Sequence, residues 1–311
     1  MKGGISRLGV LPFFYECWQE EFLMFDIIEK VQECLKVDDP KSALSIVMKV
    51  PDELLRRELF HSLRGDIFCH QLRFNEACAE YEKAIALAGN WPPPYNGLGN
   101  ALVELGEYSK ALAAFDIAVK LAPEQGEFAF NRGQLRLLLG EWSGAKADYE
   151  ARLLSPTFEA HPDIARRPPW LGQAVLGQRI LLYWEQGQGD TVQFVRYARL
   201  LEDQGASLII EAQDTLLRLL RHNFPKAQVI RGDDNLPDFD LRAALPSLPW
   251  IYGESPETPY AQCPYLVAPA GLRSAPAAKV AGRRIGLVWA GNPNHINDKQ
   301  RSIPQETLLE L

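Results

Sequence analysis

Residues 92–125 read PPPYNGLGNALVELGEYSKALAAFDIAVKLAPEQ, and four of their positions return at an interval of 34 residues on either side. Gly65, Gly99 and Gly133 form one column. Phe74, Tyr108 and Trp142 form a second, Ala77, Ala111 and Ala145 a third, and Tyr81, Phe115 and Tyr149 a fourth. A constant period of this length describes a stack of one repeated supersecondary unit, here a pair of helices. The glycine is expected in the middle of the first helix, where the missing side chain admits the second helix and offsets a helix-propensity cost of about 1 kcal/mol. The alanine is expected to be the small residue facing it. Aromatic residues at the Phe74 and Tyr81 columns are expected to fill the wedge between successive pairs, each burial contributing roughly 1.5–3 kcal/mol. Gly106 and Gly140 supply the turn within a pair, and Pro123 and Pro156 end the second helix. The first copy carries Leu72 and Gly89 at the corresponding places and is less regular.

Tyr95, Leu98, Gly99, Leu102, Ala111, Phe115 and Pro123 resemble the pattern of the tetratricopeptide repeat. The copies span residues 58–91, 92–125 and 126–157, and the array as a whole residues 58–156. Arg132 and Arg136 stand where the third copy should be apolar. One period before the first copy, Ala43 falls in the alanine column, and residues 24–57 read as a degenerate pair of capping helices. Residues 1–23 show no clear patterning and are read as an extension. The resemblance implies an α-solenoid whose concave face takes a protein or peptide, the alternative role being to space or stabilise the second half of the chain.

A chain of 311 residues has room for two domains, and its 47% apolar and 23% charged composition is that of an ordinary globular protein. A net charge of −7 without a basic run excludes a nucleic-acid partner. The five cysteines are scattered, with no CxxC spacing, so neither a metal site nor a disulfide framework is expected. No apolar run approaches the roughly 20 residues of a membrane span. Leu8–Tyr15 follows Lys2 and Arg7, but Glu16, Glu20 and Glu21 stand where a leader would be cleaved, so a signal peptide is rejected and a cytoplasmic location is expected.

Beyond Pro156 the pattern changes. Residues 157–177, with Pro162, Pro168 and Pro169, read as a linker or docking segment. Strands are expected at Arg179–Glu185, Ser207–Ala212, Gln228–Arg231 and Phe239–Ala243, with helices at Thr191–Glu202 and Gln213–Arg221. That alternation predicts a parallel sheet, whose ligands sit beyond the carboxyl ends of its strands. There lies Glu185-Gln186-Gly187-Gln188-Gly189-Asp190-Thr191. Gly187 and Gly189 are expected to permit a tight turn and close approach of a ligand; Asp190 reads as a helix N-cap or as a general base, and Glu185 as a second candidate base. Val192 occupies the third-glycine position of a dinucleotide fingerprint, which disfavours a nicotinamide or flavin oxidoreductase.

WLGQ at Trp170–Gln173, EQGQGD at Glu185–Asp190, QFVRY at Gln193–Tyr197, PDFD at Pro237–Asp240, SLP at Ser247–Pro249, PYL at Pro264–Leu266 and GLVWAGNPNHINDKQRSIP at Gly286–Pro304 occur in that order. The set resembles bacterial tetratricopeptide-repeat proteins that carry a glycosyltransferase-like domain related to the heptosyltransferases of family 9. The resemblance implies an α + α/β chain: an N-terminal solenoid, a Rossmann-like first half of a GT-B fold over residues 178–270, and the start of the second half over residues 271–311. It also implies inverting, metal-independent transfer with no resident cofactor, a nucleotide-sugar donor, a sugar acceptor and Asp190 as the base. Gly187, Gln188 and Gly189 would lie against the ligand. Asn292, Asn294, Lys299, Arg301 and Ser302 would meet phosphate, with Arg301 preferred for its bidentate fork. A strand at Arg284–Ala290 would open the second half, most of which lies beyond Leu311, so that this stretch alone is expected to be inactive. The rival reading is a non-catalytic repeat scaffold.

Overall fold

The computed structural model describes residues 26–37, 39–50, 57–155, 162–185, 187–232, 234–253, 260, 263–270, 290–291 and 302–308. The chain divides into two compact units, Met1–Val267 and Ala268–Leu311. Residues 1–23, Asn292, Asn294, Lys299, Arg301 and all but the last residue of the strand expected at Arg284–Ala290 lie outside the described residues.

The first unit begins with helix α1 (26–36) and α2 (Pro40–Met48), the latter capped by Asp39, whose Oδ1 accepts the Ser42 N–H at 3.1 Å. Ile27, Val31, Leu35, Ala43 and Val47 form one cluster with Leu63 and Ile67 of the next helix. Three helical pairs come after it: α3 (Arg57–His70) with α4 (Phe74–Leu87), α5 (Pro92–Glu104) with α6 (Tyr108–Leu121), and α7 (Gly126–Leu138) with α8 (Trp142–Glu150). A 3-10 turn, Ala151–Leu154, extends α8.

Each pair closes by the same turn. Leu72, Gly106 and Gly140, 34 residues apart, all have positive φ, at 59°, 75° and 78°. The residue after each donates its N–H five residues back, Arg73 to Phe68 O and Glu107 to Leu102 O at 2.9 Å, and Glu141 to Arg136 O at 2.8 Å. This is the Schellman closure, which needs one left-handed residue. The first copy is thus as regular in backbone as the others, with leucine held in the glycine's conformation.

The glycine column meets a different partner from the alanine expected. A Cβ on Gly65 would lie 2.5 Å from the Tyr81 ring, and one on Gly99 2.5 Å from the Phe115 ring. The aromatic ring sixteen residues on, being the bulkier group, takes the space the glycine leaves. Tyr81 also covers Gly97 of the next pair, so one ring joins two repeats. In the third copy the contact is with backbone: the same Cβ on Gly133 would lie 2.8 Å from Tyr149 N. The Tyr149 ring is drawn elsewhere, to Phe130 and Trp250 at 5.3 and 6.0 Å. In the Phe74 column, two members depart from the expected wedge between pairs of repeats. Tyr108 is 38% exposed, and Trp142 lies against Trp250 at 5.4 Å.

Arginine in an apolar column has a counterpart sixteen residues later. Arg132 grips the buried Asp148 with Nε and one terminal nitrogen, both at 2.7 Å, and Arg136 adds a contact at 2.6 Å. In the first copy the equivalent pair is Arg64 and Glu80, 3.6 Å apart; in the second it is Leu98 and Ala114. The polar exchange is made on both sides of the same contact, which keeps the buried charge paired.

The sheet comprises β1 (Arg179–Tyr183), β2 (Ser207–Glu211), β3 (Gln228–Ile230) and β4 (Leu241–Ala244), all parallel, in the order β3-β2-β1-β4. Ile180 pairs with Leu208 on one side and Leu241 on the other. One face buries Ile180, Leu182, Leu208, Ile210, Val229 and Ala243 beneath α10 (Gln188–Phe194), α11 (Ala198–Asp203), α12 (Leu217–Asn223) and α13 (Leu248–Ile251). The opposite face buries Leu181, Tyr183, Ile209, Ile230 and Ala244 with Phe239 and with Ile164 of the short α9 (Pro162–Ala165). Residues 168–170 run beside β4, Trp170 N–H reaching Arg242 O at 2.7 Å.

The expected elements shift at their ends for local reasons. β1 stops at Tyr183, because its neighbour β4 turns into a 3-10 segment at Leu245–Ser247. The helix expected at Thr191 starts at Gln188, because Asp190 reaches back to the Gly187 N–H. The helix expected at Gln213 becomes a 3-10 turn, Asp214–Leu216, followed by α12. In the second unit, α14 (Gln305–Leu308) follows Pro304, and the Gly291 N–H donates to Ser302 Oγ at 2.9 Å.

Candidate functional site

Two surfaces are candidates for a functional site, and the elements that build them are different. The first belongs to the helical array. Contacts between α3 and α5, and between α5 and α7, are more extensive than those between α4 and α6 or α6 and α8. The crowded row of first helices is therefore the inside of the curve. Asp66, Asn100 and Gln134 stand 34 apart on these three helices; Asn100 and Gln134 are exposed and Asp66 is half-buried. Asp66 Oδ1 accepts the Tyr81 hydroxyl at 2.6 Å. Burial pushes its carboxyl up to about 6, against the downward pull of that hydrogen bond. Asn131 Nδ2 donates to Asn96 Oδ1 at 2.9 Å, locking α7 to α5 beside the column. Burial raises the Cys69 thiol to about 12, so it is no nucleophile at neutral pH. This column was not singled out from the sequence; its only signal there is the spacing of 34, without the exposure that the structure adds.

The second surface is the carboxyl edge of the sheet between β1 and β4, where the strand order reverses. A sheet of this order receives ligands at that point. The residues brought there are Glu185 after β1, Ser247 after β4, and Glu150 and Arg152 from the end of the array. Arg152 is fully buried, its Nε 2.9 Å from Glu185 Oε2, one terminal nitrogen 2.6 Å from Glu150 Oε1 and the other 2.8 Å from Ser247 Oγ. Its guanidinium carbon lies 4.6 Å above the Tyr149 ring. Burial works against the arginine's charge, but Glu185 and Glu150 outweigh it and hold the group cationic. For Glu185 the balance is opposite: burial raises its carboxyl despite Arg152. Its second oxygen, Oε1, is buried without a hydrogen-bond partner among the described residues.

Asp190 is displaced from the role of N-cap. Gly187 is the cap, and Asp190, third in α10, accepts the Gly187 N–H at 3.0 Å, which is half of a capping box. Gly187 has φ −71° and Gly189 is likewise outside the left-handed region. A Cβ on Gly189 would meet nothing within 4 Å. Gln188 is exposed beside them. At the end of β2, Glu211 is buried, and burial pushes its carboxyl up to about 7.

Several of the motifs in the α/β half act as fasteners. In WLGQ, Trp170 Nε1 donates to Gln173 O at 2.8 Å and Leu171 N–H to Gln173 Oε1 at 2.7 Å, around Gly172 at φ 99°. In QFVRY, Tyr197 stacks on Tyr252 at 5.8 Å, and Arg196 lies over Tyr265 of PYL at 4.3 Å. In PDFD, Asp240 clamps Arg179, taking its N–H at 2.9 Å and its guanidinium at 3.0 Å; this bond is the main reason its carboxyl drops to about 2. In SLP, Ser247 belongs to the Arg152 cluster.

A tetratricopeptide-repeat family model matches residues 96–163. The match takes in most of α5 through α8, whose pairs are tetratricopeptide repeats, and α3 with α4 repeats their turn and their glycine contact. They precede a small parallel α/β sheet in the same compact unit. The chain is similar to Protein FlbA of Caulobacter vibrioides, 29% identical over an alignment that covers 43% of this chain and 29% of that protein. It therefore spans less than a third of the length of this curated relative. Among solved structures it is similar to MamA (20% identity, 41% of this chain, 75% of that one, TM-score 0.35). It is also similar to the second repeat domain of Spaghetti (RPAP3) bound to an HSP90 peptide (24% identity, 32% and 92%, TM-score 0.31). A third is a thermophilic repeat protein of Thermus thermophilus (18% identity, 41% and 72%, TM-score 0.38). Among the described residues, no helix is long and apolar enough to cross a membrane.

Proposed function

We propose that the protein is a protein-interaction module whose inner row of helices binds an extended polypeptide, joined to a glycosyltransferase-like α/β domain. The observation that carries the first part is the column Asp66, Asn100 and Gln134, three polar side chains at one-repeat spacing along the inside of the curve. Amide side chains both donate and accept, which suits them to the alternating N–H and C=O groups of an extended backbone. A displayed library of random peptides supplies the ligand, and fluorescence titration measures it. The double variant Asn100→Ala, Gln134→Ala is expected to lose about tenfold in affinity, as for loss of one or two hydrogen bonds, with the melting temperature unchanged. Equal affinity in parent and variant would remove the column from the binding surface.

The glycosyltransferase-like part rests on the ordered motifs and is supported by the strand order, which brings EQGQGD to the ligand edge of the sheet. In that reading Asp190 is the base, Gly187, Gln188 and Gly189 line the acceptor, and Asn292, Asn294, Lys299, Arg301 and Ser302 meet the diphosphate of a nucleotide-sugar donor. If transfer is detected, Asp190→Ala abolishes it while stability moves by no more than about 1 kcal/mol. The non-catalytic scaffold reading is favoured by one observation, the burial of Glu185 against Arg152 at the position a ligand would need.

A further inference from the structure

We propose that Arg152 is a removable plug, an autoinhibitory contact through which the last turn of the repeat array shuts the carboxyl edge of the sheet. This inference rests on reading that edge as a ligand position. Its origin lies in the period. Ala84 and Ala118 are fully buried, and the same column carries arginine at position 152, equally buried. In the first two copies the alanine packs within the stack. The third copy has no following repeat, and its side chain enters the sheet edge instead, between Glu185 after β1 and Ser247 after β4. There α10 packs directly on the Leu245–Ser247 segment, which closes the space from the other side.

The chemistry of the plug is that of a contact able to part. Buried ion pairs hold less well than apolar packing of the same volume, because both charges lose water. Here three charges meet, and Glu185 Oε1 is left without a partner among the described residues. Each group is well solvated once separated. The segment that carries Arg152 is a single 3-10 turn, Ala151–Leu154, with Leu153 and Leu154 exposed, and so short a segment opens at less cost than a whole helix. Opening at the 149–152 segment would expose Glu185 and Ser247 together, without unfolding the sheet.

The test uses the full chain and needs no ligand. Ser247→Cys places a thiol on the wall of the crevice, and its alkylation by iodoacetamide is followed by mass spectrometry of the peptide containing residue 247, apart from the five native cysteines. A plug that opens locally gives labelling with a shallow dependence on urea, and Arg152→Lys, which keeps the charge but loses the fork, speeds it at least about tenfold. A urea dependence as steep as that of global unfolding, or an unchanged rate in Arg152→Lys, would make the contact a permanent weld and overturn the proposal. If Ser247→Cys fails to fold, amide hydrogen exchange of residues 245–251 in parent and Arg152→Lys chains decides by the same two criteria. Because no sugar or nucleotide enters the measurement, a weld leaves the glycosyltransferase-like reading standing, and failure to bind a donor leaves the plug standing.

Discussion

Arg152 Nε and Glu185 Oε2 lie 2.9 Å apart with both side chains out of solvent, the one from the end of the helical array and the other from the loop after the first strand. The pair joins what the sequence presents as two domains into one compact unit. Lys146 Nζ adds a bond to Trp250 O at 3.0 Å, and the Trp142 and Tyr149 rings pack at a tilt against Trp250 beside it. Charge, amide and aromatic contacts thus converge on the same junction. The sheet serves the array as its terminal cap, a part that a solenoid otherwise supplies with a polar helix.

The turn of the first repeat is predicted to improve with glycine. Leu72 holds φ 59° and is 49% exposed, so its side chain contributes little and its backbone is strained. The left-handed conformation costs a leucine roughly 1–2 kcal/mol, part of which is offset by the greater unfolded-state freedom of glycine. Leu72→Gly should raise stability by about 0.5–1 kcal/mol in urea melts. Destabilisation would show that the leucine side chain matters more than its backbone.

Glycine-to-alanine changes should sort by what the new methyl meets. In Gly99→Ala it meets the Phe115 ring at 2.5 Å, and in Gly133→Ala the Tyr149 backbone nitrogen at 2.8 Å. Overpacking of this kind costs about 1–3 kcal/mol, and more where the obstacle is backbone that cannot rotate away. Gly189→Ala meets nothing and lies in a helix, so it should be neutral or gain up to about 1 kcal/mol. Thermal melts of the three variants give the order, and a loss in Gly189→Ala equal to that in Gly99→Ala would contradict it.

Glu211 should make stability fall as pH rises. Its carboxyl is pushed up to about 7 by burial, so the folded state binds the proton more tightly than the unfolded state. The stabilisation is complete below the ordinary carboxyl range and is lost as the pH climbs toward 7, after which the curve is flat. Glu211→Gln removes this slope. A carboxyl raised this far should give the variant a gain on the order of 2–3 kcal/mol relative to the parent between about pH 4 and pH 8, since tenfold in proton affinity is worth about 1.4 kcal/mol. Parallel urea titrations measure the difference, and parallel curves would show that the carboxyl is not protonated in the fold.

The repeat array was legible because the same residue types return every thirty-four positions, an interval that the sequence displays directly. The parallel sheet was legible from the alternation of strands and helices. The partner of each glycine was not, since the spacing of Gly99, Ala111 and Phe115 leaves open which of the two faces it. The N-terminus of α10 lies three residues before its expected place because a carboxylate at the third helical position can bond as a cap does. Arg132 has the look of a defect in the sequence and is a paired residue in the structure, its counterpart Asp148 lying one residue before the Tyr149 column, at a position not singled out from the sequence.

By itself, the order of residues determined the helical period, the positions of the turns and the parallel character of the sheet, since each depends on neighbours within one or two elements. Only the tertiary structure decided what the sheet edge contains. Arg152 and Ser247 are 95 residues apart, and Trp142 and Trp250 are further still. Their meeting depends on the angle at which the array reaches the sheet, which no local spacing records. The arginine in the column of Ala84 and Ala118 marks that something differs at the end of the stack; where its charge goes is set by the fold as a whole.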